Sequence, residues 1–175
     1  MTDAQKTAAA EFLANRKAQV FGPFVPLLRS PEMMLRAMAM GDYLRYRSAL
    51  PPRLNELVIL ITSRQWTQQY EWNLHCAEGL KAGLRASIAD AVADGRRPEG
   101  MSEEEEIVYE FSTELLHTQG VTDRTYARAI EKFGEQGTID MIGVLGYYTF
   151  QAMVLNTART PLPAGAKPAL TPFPP

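Results

Sequence analysis

"LNELVILITSRQW", residues 54–66, is the stretch that decides the fold. Its apolar side chains recur three and four positions apart, the spacing of one helix face, at Leu54, Leu57, Val58 and Ile61, and Ile59 and Leu60 widen that face. A helix that is apolar nearly all round lies deep in a core or between subunits. Glu56 is embedded in it, and a carboxylate buried there is costly unless it is paired or hydrogen-bonded.

The rest of the chain is also predicted to be mostly helical. Residues 3–19 are rich in helix formers. Ser30, Pro31 and Glu32 suit the cap, the first turn and the positive end of a helix that runs to about Arg47. Further helices are expected from residue 53 and at residues 68–82, 86–94, 103–118, 123–133 and 138–158. No segment alternates as a strand does, so the sequence predicts an all-α fold of about seven helices.

Prolines mark two segments outside this pattern. Pro23 and Pro26 interrupt "FGPFVPLL" at residues 21–28, which is so apolar that we expect it to be buried. The tail "PLPAGAKPALTPFPP", residues 161–175, is expected to be a loose end or an extended arm on a partner subunit. The predicted organisation is one helical domain over residues 1–160 followed by this tail.

The composition limits the class of protein. The 175 residues are 46% hydrophobic and 22% charged, which suits one compact domain. The net charge of −2 argues against a nucleic-acid partner. The single cysteine, the absence of a signal-like segment and the lack of a long apolar run favour a reduced, cytoplasmic protein with no membrane partner.

A second stretch, "QYEWNLHCAEG" at residues 69–79, carries the candidate chemistry. Glu71 and His75 stand four apart, so they can touch across one helical turn. Glu56 lies on the preceding helix, and a turn near Trp66 would fold that helix back against this one. Two carboxylates and an imidazole could then converge beside Trp72, as a proton-transfer site or as a buried polar network that ties two helices together.

Two other interpretations of this stretch, a metal site and a thiol nucleophile, have less support from the sequence. A metal site lacks ligands, because the only other histidine, His117, is far along the chain and suits the negative end of its own helix. A thiol nucleophile would have to be Cys76, which points about 100° away from the His75 face. A small buried thiol is the more ordinary interpretation of Cys76. We therefore expect no metal and no cofactor.

The chain resembles the carboxymuconolactone decarboxylase-like family, within the broader AhpD-like superfamily. The resemblance rests on "SPEMMLRAMAMGDYLRYRSALPPRLNELVILIT", on the "YEW..H" helix with "GLKAG", and on "YARAIEKFGEQGTIDMIGVLGYYTFQAMVLN". It implies an AhpD-like helical fold. The peroxidase branch of the superfamily has two redox cysteines, and these positions hold Gln68 and Glu71 here. Vicinal-disulfide chemistry is therefore absent, although a peroxiredoxin label attaches to the superfamily.

The decarboxylase branch is similar in having Glu-Trp-x-x-His at this place. The resemblance implies a carbon–carbon lyase of aromatic-compound breakdown that removes CO₂ from a small carboxylated lactone or enone. His75 would be the acid or base, supported by Glu56 and Glu71. Arg47 or Arg53 would bind the carboxylate, and the other expected substrate contacts are Gln68, Trp72 and Tyr147.

The resemblance also implies a homotrimer, or a homohexamer built from trimers, with the site near an interface. Two alternatives to the lyase stay open from sequence. One is a redox protein that uses Cys76, and the other is a non-catalytic oligomer that has kept a ligand pocket.

Overall fold

The computed structural model describes residues 1–172, and this part of the chain is all-α, as predicted, with eight helices and no strand. The helices are α1 (Asp3–Arg16), α2 (Phe24–Leu27), α3 (Pro31–Tyr46), α4 (Pro52–Gln65), α5 (Gln69–Lys81), α6 (Ala86–Ala93), α7 (Glu103–Thr118) and α8 (Asp123–Ala158).

Helix α4 is the centre of the fold. Every residue from Leu54 to Arg64 is buried, and the helix packs against α5, α7, α8 and α6. Because α4 is covered all round, none of these positions faces solvent and apolar residues can occupy nearly all of them. This explains the continuous apolar run. Each fully buried side chain of this kind contributes about 1.5–3 kcal/mol relative to exposure. The backbone around Glu56 is therefore firmly held.

The proline-interrupted segment contains the one helix that the sequence did not predict. Helix α2 is a single turn in which Pro23 is the cap and Pro26 falls where few intrahelical N–H bonds are needed. Phe24 is buried, and its ring centroid lies 4.9 Å from that of Phe12 on α1. Phe21 packs edge-on against both rings. This aromatic cluster explains why the segment is so apolar.

Helix α8 joins two predicted helices. The backbone departs from helical geometry at Gly134, with φ 68° and ψ 178°, so the expected break there is a kink within one 36-residue element. Such a φ is easily reached only by glycine. By length and composition α8 could cross a membrane, but a core helix passes the same test, and 56% of its apolar window is buried within this chain.

Helix caps follow the sequence pattern with one exception. Ser102 and Glu105 form the predicted capping box of α7, and Thr122 caps α8. Ser30 stands at the start of α3 as expected, but its side chain makes no capping hydrogen bond.

The tail lies on its own chain as far as the structure describes it. Leu170 is buried, its carbonyl accepts a hydrogen bond from Gln69 Nε2 at 2.6 Å, and its N–H donates to Gln69 Oε1 at 3.0 Å. The N–H of Ala169 donates to the same oxygen. The first residue of α5 therefore holds the tail on its own chain at residues 169 and 170. The last three residues of the predicted tail lie outside the described residues.

We expect Gly41→Ala to destabilise the protein by about 1–3 kcal/mol, because its added Cβ would clash with Tyr147 Oη. Gly146→Ala is the matched control. It sits on α8 with nothing within 4 Å of an added Cβ, and should stabilise by about 0.5–1 kcal/mol. Urea unfolding at one fixed protein concentration measures both. Equal effects of the two substitutions would show that α3 and α8 do not pack this closely.

Candidate active site

His75 is the centre of a buried charged cluster delivered by α4 and α5. Its Nδ1 donates a hydrogen bond to Glu56 Oε2 at 2.7 Å, and its Nε2 lies 3.3 Å from Glu71 Oε2. Only 1% of His75 is exposed, and both carboxylates are nearly as deeply buried. The turn after α4 folds α5 back along it, which brings Glu56 to the ring, while Glu71 reaches the ring from one turn earlier on α5.

The two carboxylates set the charge of the imidazole. Burial by itself would lower the pKa of His75, but the hydrogen bonds and charges of Glu56 and Glu71 outweigh it, so the pKa of His75 is raised above its ordinary value. The imidazolium form is favoured accordingly. Because carboxylate oxygens engage both ring nitrogens, neither nitrogen has a free lone pair for a metal.

Arg45, near the end of α3, supplies a second positive charge. Burial tends to lower the pKa of Arg45, but Tyr148, Tyr46, Glu56 and Glu71 together raise it. Its guanidinium lies 5.3 Å from the centre of the Tyr46 ring. The charges of Arg45 and a protonated His75 balance those of the two buried carboxylates.

Two tyrosines of α8 wall the cluster. The edge of the Tyr148 ring meets His75, with centroids 4.9 Å apart and planes at 85°. Tyr147 packs the same way against Tyr148, and its hydroxyl accepts a hydrogen bond from Gln151 Nε2 at 2.6 Å. Burial raises the pKa of Tyr147 to about 12 and that of Tyr148 well above 10. Both hydroxyls therefore keep their protons at neutral pH.

A small cavity of about 30 Å³ adjoins His75. That volume holds about one water molecule, so a lactone can enter only if a wall moves. The walls come from α1, α2 and the preceding loop, α3, α5 and α8, and consist of Arg16, Phe21, Pro23, Phe24, Arg45, Tyr70, Glu71, Leu74, His75, Tyr147, Tyr148 and Gln151.

Two arginines in these walls have unused donors. Within residues 1–172, Nε of Arg16 and Nε of Arg45 are buried without a hydrogen-bond partner. Arg16 also forms an ion pair with Asp42 at 2.7 Å and stacks on the Phe24 ring. Buried donors without partners are uncommon, and both residues are cavity walls, so two guanidinium groups border this small space.

The two arginines proposed from sequence to bind substrate are not in this cavity. Arg53 forms ion pairs with Glu104 and Glu105 of α7. Arg47 is exposed and lies over the Tyr43 ring. Arg45 stands in their place, because it follows Gly41 by four residues and therefore shares the inner face of α3.

Of the other expected substrate contacts, only Tyr147 lines the cavity. Gln68 caps α5, where its Oε1 accepts a hydrogen bond from the Tyr70 N–H and its Nε2 donates to Asn156. Trp72 belongs to the hydrophobic core and is not among the cavity walls. Neither residue lines this cavity, and their role as substrate contacts stays a prediction.

Cys76 and His117 lie apart from the cluster. Cys76 is a half-buried free thiol whose pKa is raised by burial and by the charge of Asp90, which disfavours the thiolate. Exposed His117 has its Nδ1 2.7 Å from the Thr113 carbonyl within α7.

Sequence reasoning missed Arg16, Arg45 and Tyr70 as cavity residues. The helical phase of α3 could have found Arg45, because the buried positions Met38 and Gly41 precede it by seven and four residues. Nothing local in the sequence indicates that Arg16 or the start of α5 would reach the same cavity.

A sequence model of the carboxymuconolactone decarboxylase family matches residues 31–108. This part of the chain is similar to members of that family. The match confirms the resemblance inferred from the motifs, and it contains Arg45, Glu56, Glu71 and His75. The family segment thus supplies the charged cluster, whereas Arg16 and the two tyrosines come from flanking helices. No curated protein gives a significant match to the chain.

We expect His75→Gln to destabilise the protein by about 3–5 kcal/mol below pH 6.5, because it leaves two buried carboxylates without their shared cation. Since the folded-state pKa of His75 is raised, its stabilising contribution is fully present below the unfolded pKa of about 6.5. The difference between wild type and variant should shrink as the pH rises through the folded-state pKa.

Urea unfolding at several pH values measures this difference. His117→Gln, which removes an exposed histidine, should change the free energy of unfolding by no more than about 0.5 kcal/mol. A stability difference for His75→Gln that grows with pH would show that the imidazole is not held as a cation.

Proposed function

We propose that this protein is a cofactor-independent lyase that decarboxylates a small carboxylated lactone or enone, with His75 as the proton donor. One observation carries the proposal: a buried histidine held by two carboxylates borders a cavity whose walls also include two arginines. Loss of CO₂ followed by protonation of carbon requires an acid next to an anion-binding group.

Arg45 and Arg16 would hold the substrate carboxylate. Both residues line the cavity, each has a buried Nε without a hydrogen-bond partner within residues 1–172, and guanidinium groups suit carboxylate geometry. Since Asp42 already neutralises Arg16, Arg45 would supply most of the attraction. Cleavage of the bond to CO₂ then leaves its electron pair on the lactone as a dienolate.

His75 would protonate the dienolate carbon through Nε2. That nitrogen has the looser contact, 3.3 Å to Glu71, whereas Nδ1 is held by Glu56 at 2.7 Å. Glu56 therefore fixes the ring and favours its charged form, and Glu71, which lines the cavity, positions the proton next to the substrate. The imidazole regains its proton from water after product release.

A redox function through Cys76 is less well supported. The thiol does not line the His75 cavity, and its raised pKa disfavours the reactive thiolate. The positions of the two superfamily redox cysteines are occupied by Gln68 and Glu71, which serve as a helix cap and as a partner of His75.

We further propose that the chain forms a homotrimer or homohexamer, as the family resemblance implies. Apolar side chains remain exposed along one side of α8, at Ile139, Ile142 and Met153, and on the neighbouring α3, at Met33 and Met40. Exposed apolar surface of this kind marks contact sites. Ile139→Glu should lower the molar mass measured by light scattering, and a monomeric wild type would refute the proposal.

We expect Arg45→Met to lower kcat/KM about 10- to 100-fold on small lactone acids, because a charged hydrogen bond to the substrate is lost. Arg47→Met, two residues away but exposed, is the matched control and should stay within about twofold. His75→Gln should bind these acids but release no CO₂. Steady-state CO₂ release and ligand titration measure these effects.

Wild type without turnover on any such acid, but with binding that needs Arg45, would indicate the non-catalytic ligand-binding oligomer. Hydroperoxide reduction that Cys76→Ser abolishes would indicate the redox alternative.

A further inference from the structure

The cavity beside His75 lies between two much larger surface hollows. One, of about 540 Å³, is bounded by α3 and α8, and Tyr147 lines both it and the cavity. The other, of about 560 Å³, lies between α2, the start of α5 and residues 158–163, and Tyr70 lines both it and the cavity. Each tyrosine is thus a partition between His75 and the outside.

The Tyr147 partition is fixed. Its hydroxyl accepts a hydrogen bond from Gln151, its ring packs edge-on against Tyr148, and Gly41 of α3 lies hard against its oxygen. Only 5% of the residue is exposed. Movement of this ring would break a buried hydrogen bond and a close helix–helix contact.

The Tyr70 partition is held far less firmly. The residue is half-buried, and within residues 1–172 its hydroxyl makes no hydrogen bond. Its ring does contact Gly22 closely, with Tyr70 Cε1 2.9 Å from where a Cβ would stand, but Gly22 belongs to the turn before α2 and not to a long helix as Gly41 does. The 560 Å³ hollow on its outer side gives the ring room to turn away from the cavity.

The hollow outside Tyr70 also has suitable chemistry for an organic anion. Arg29 is its only charged wall residue, and within the described part of the chain Arg29 has no ion-pair partner. The other walls are mostly apolar: Gly22, Val25, Pro26, Ala158, Pro161 and Pro163, with Thr160 as the remaining polar residue. A small flat carboxylate with an apolar ring would be attracted by the charge and covered by these walls.

We infer that this hollow is the vestibule through which a small organic carboxylate reaches His75, and that Tyr70 is the movable partition that sets the size of ligand admitted. The identity of the ligand rests on the proposed function, whereas the position of the entrance rests on the walls alone. Tyr70 acts on access and makes no bond with the reacting atoms.

Access to His75 can be measured without substrate. Diethyl pyrocarbonate acylates neutral imidazole, and the chain has two histidines, so exposed His117 serves as an internal reference. Tyr70→Ala should speed acylation of His75 relative to His117 by about tenfold or more, because wild type reacts only from locally opened states. Peptide mass spectrometry over time gives both rates.

Two variants control this experiment. Tyr70→Phe keeps the ring and should react as wild type does, and Tyr147→Ala should open His75 less than Tyr70→Ala does. Rates are taken on the high-pH plateau, where a change in the His75 pKa has no effect, and circular dichroism confirms folding. Faster acylation in Tyr147→Ala than in Tyr70→Ala would overturn the inference in favour of the other hollow, and no acceleration in either would overturn it altogether.

A kinetic arm tests the ligand class. If lactone acids are turned over, Arg29→Gln should raise KM several-fold without changing kcat, and Tyr70→Ala should gain turnover on acids with bulkier rings. An unchanged KM would remove Arg29 from the entrance. If no acid is turned over while Tyr70→Ala still exposes His75, the proposed reaction fails and the entrance stands.

Discussion

Two carboxylates buried on adjacent helices need a cation between them, and the site depends on that requirement. Glu56 and Glu71 approach the same ring from α4 and α5, and neither side chain is open to solvent. Such a pair is tolerated only where positive charge and hydrogen bonds compensate it. His75 compensates at contact distance and Arg45 at longer range, so the imidazole is poised as an acid in a place where burial alone would have kept it neutral.

Residues 31–108, which match the family model, and the segments on either side of them contribute different side chains to the site. Residues 31–108 supply His75 and Glu71 on α5 and Glu56 on α4, and α4 is covered on all sides, which fixes the position of Glu56. The flanks supply Arg16, the aromatic turn around Phe24 and the two tyrosines of α8, which shape the cavity. The charged cluster and part of the cavity wall therefore come from different parts of the sequence.

Most of the fold was predictable because its signals are local. Apolar spacing gave the helices, and Gly134 marked the kink within α8. Helical spacing alone predicts that Glu71 contacts His75. The contact of Glu56 with the same ring requires in addition only that α4 and α5 form a helical hairpin. Arg47 and Arg53 do not line the cavity and Arg45 does, which depends on the angular phase of α3 near its end, where prolines made Arg53 look equally well placed. Gln68 and Trp72 also lie outside the cavity walls, because their partners, Asn156 and the core, are distant in sequence.

Gln69 holds residues 169 and 170 in place at a small cost in conformational entropy. Prolines restrict the backbone before it docks, so holding residues 169 and 170 costs little conformational entropy and one amide side chain is enough. Because that side chain belongs to the residue next to Tyr70, loss of its hydrogen bonds would release residues 169 and 170 beside the start of α5.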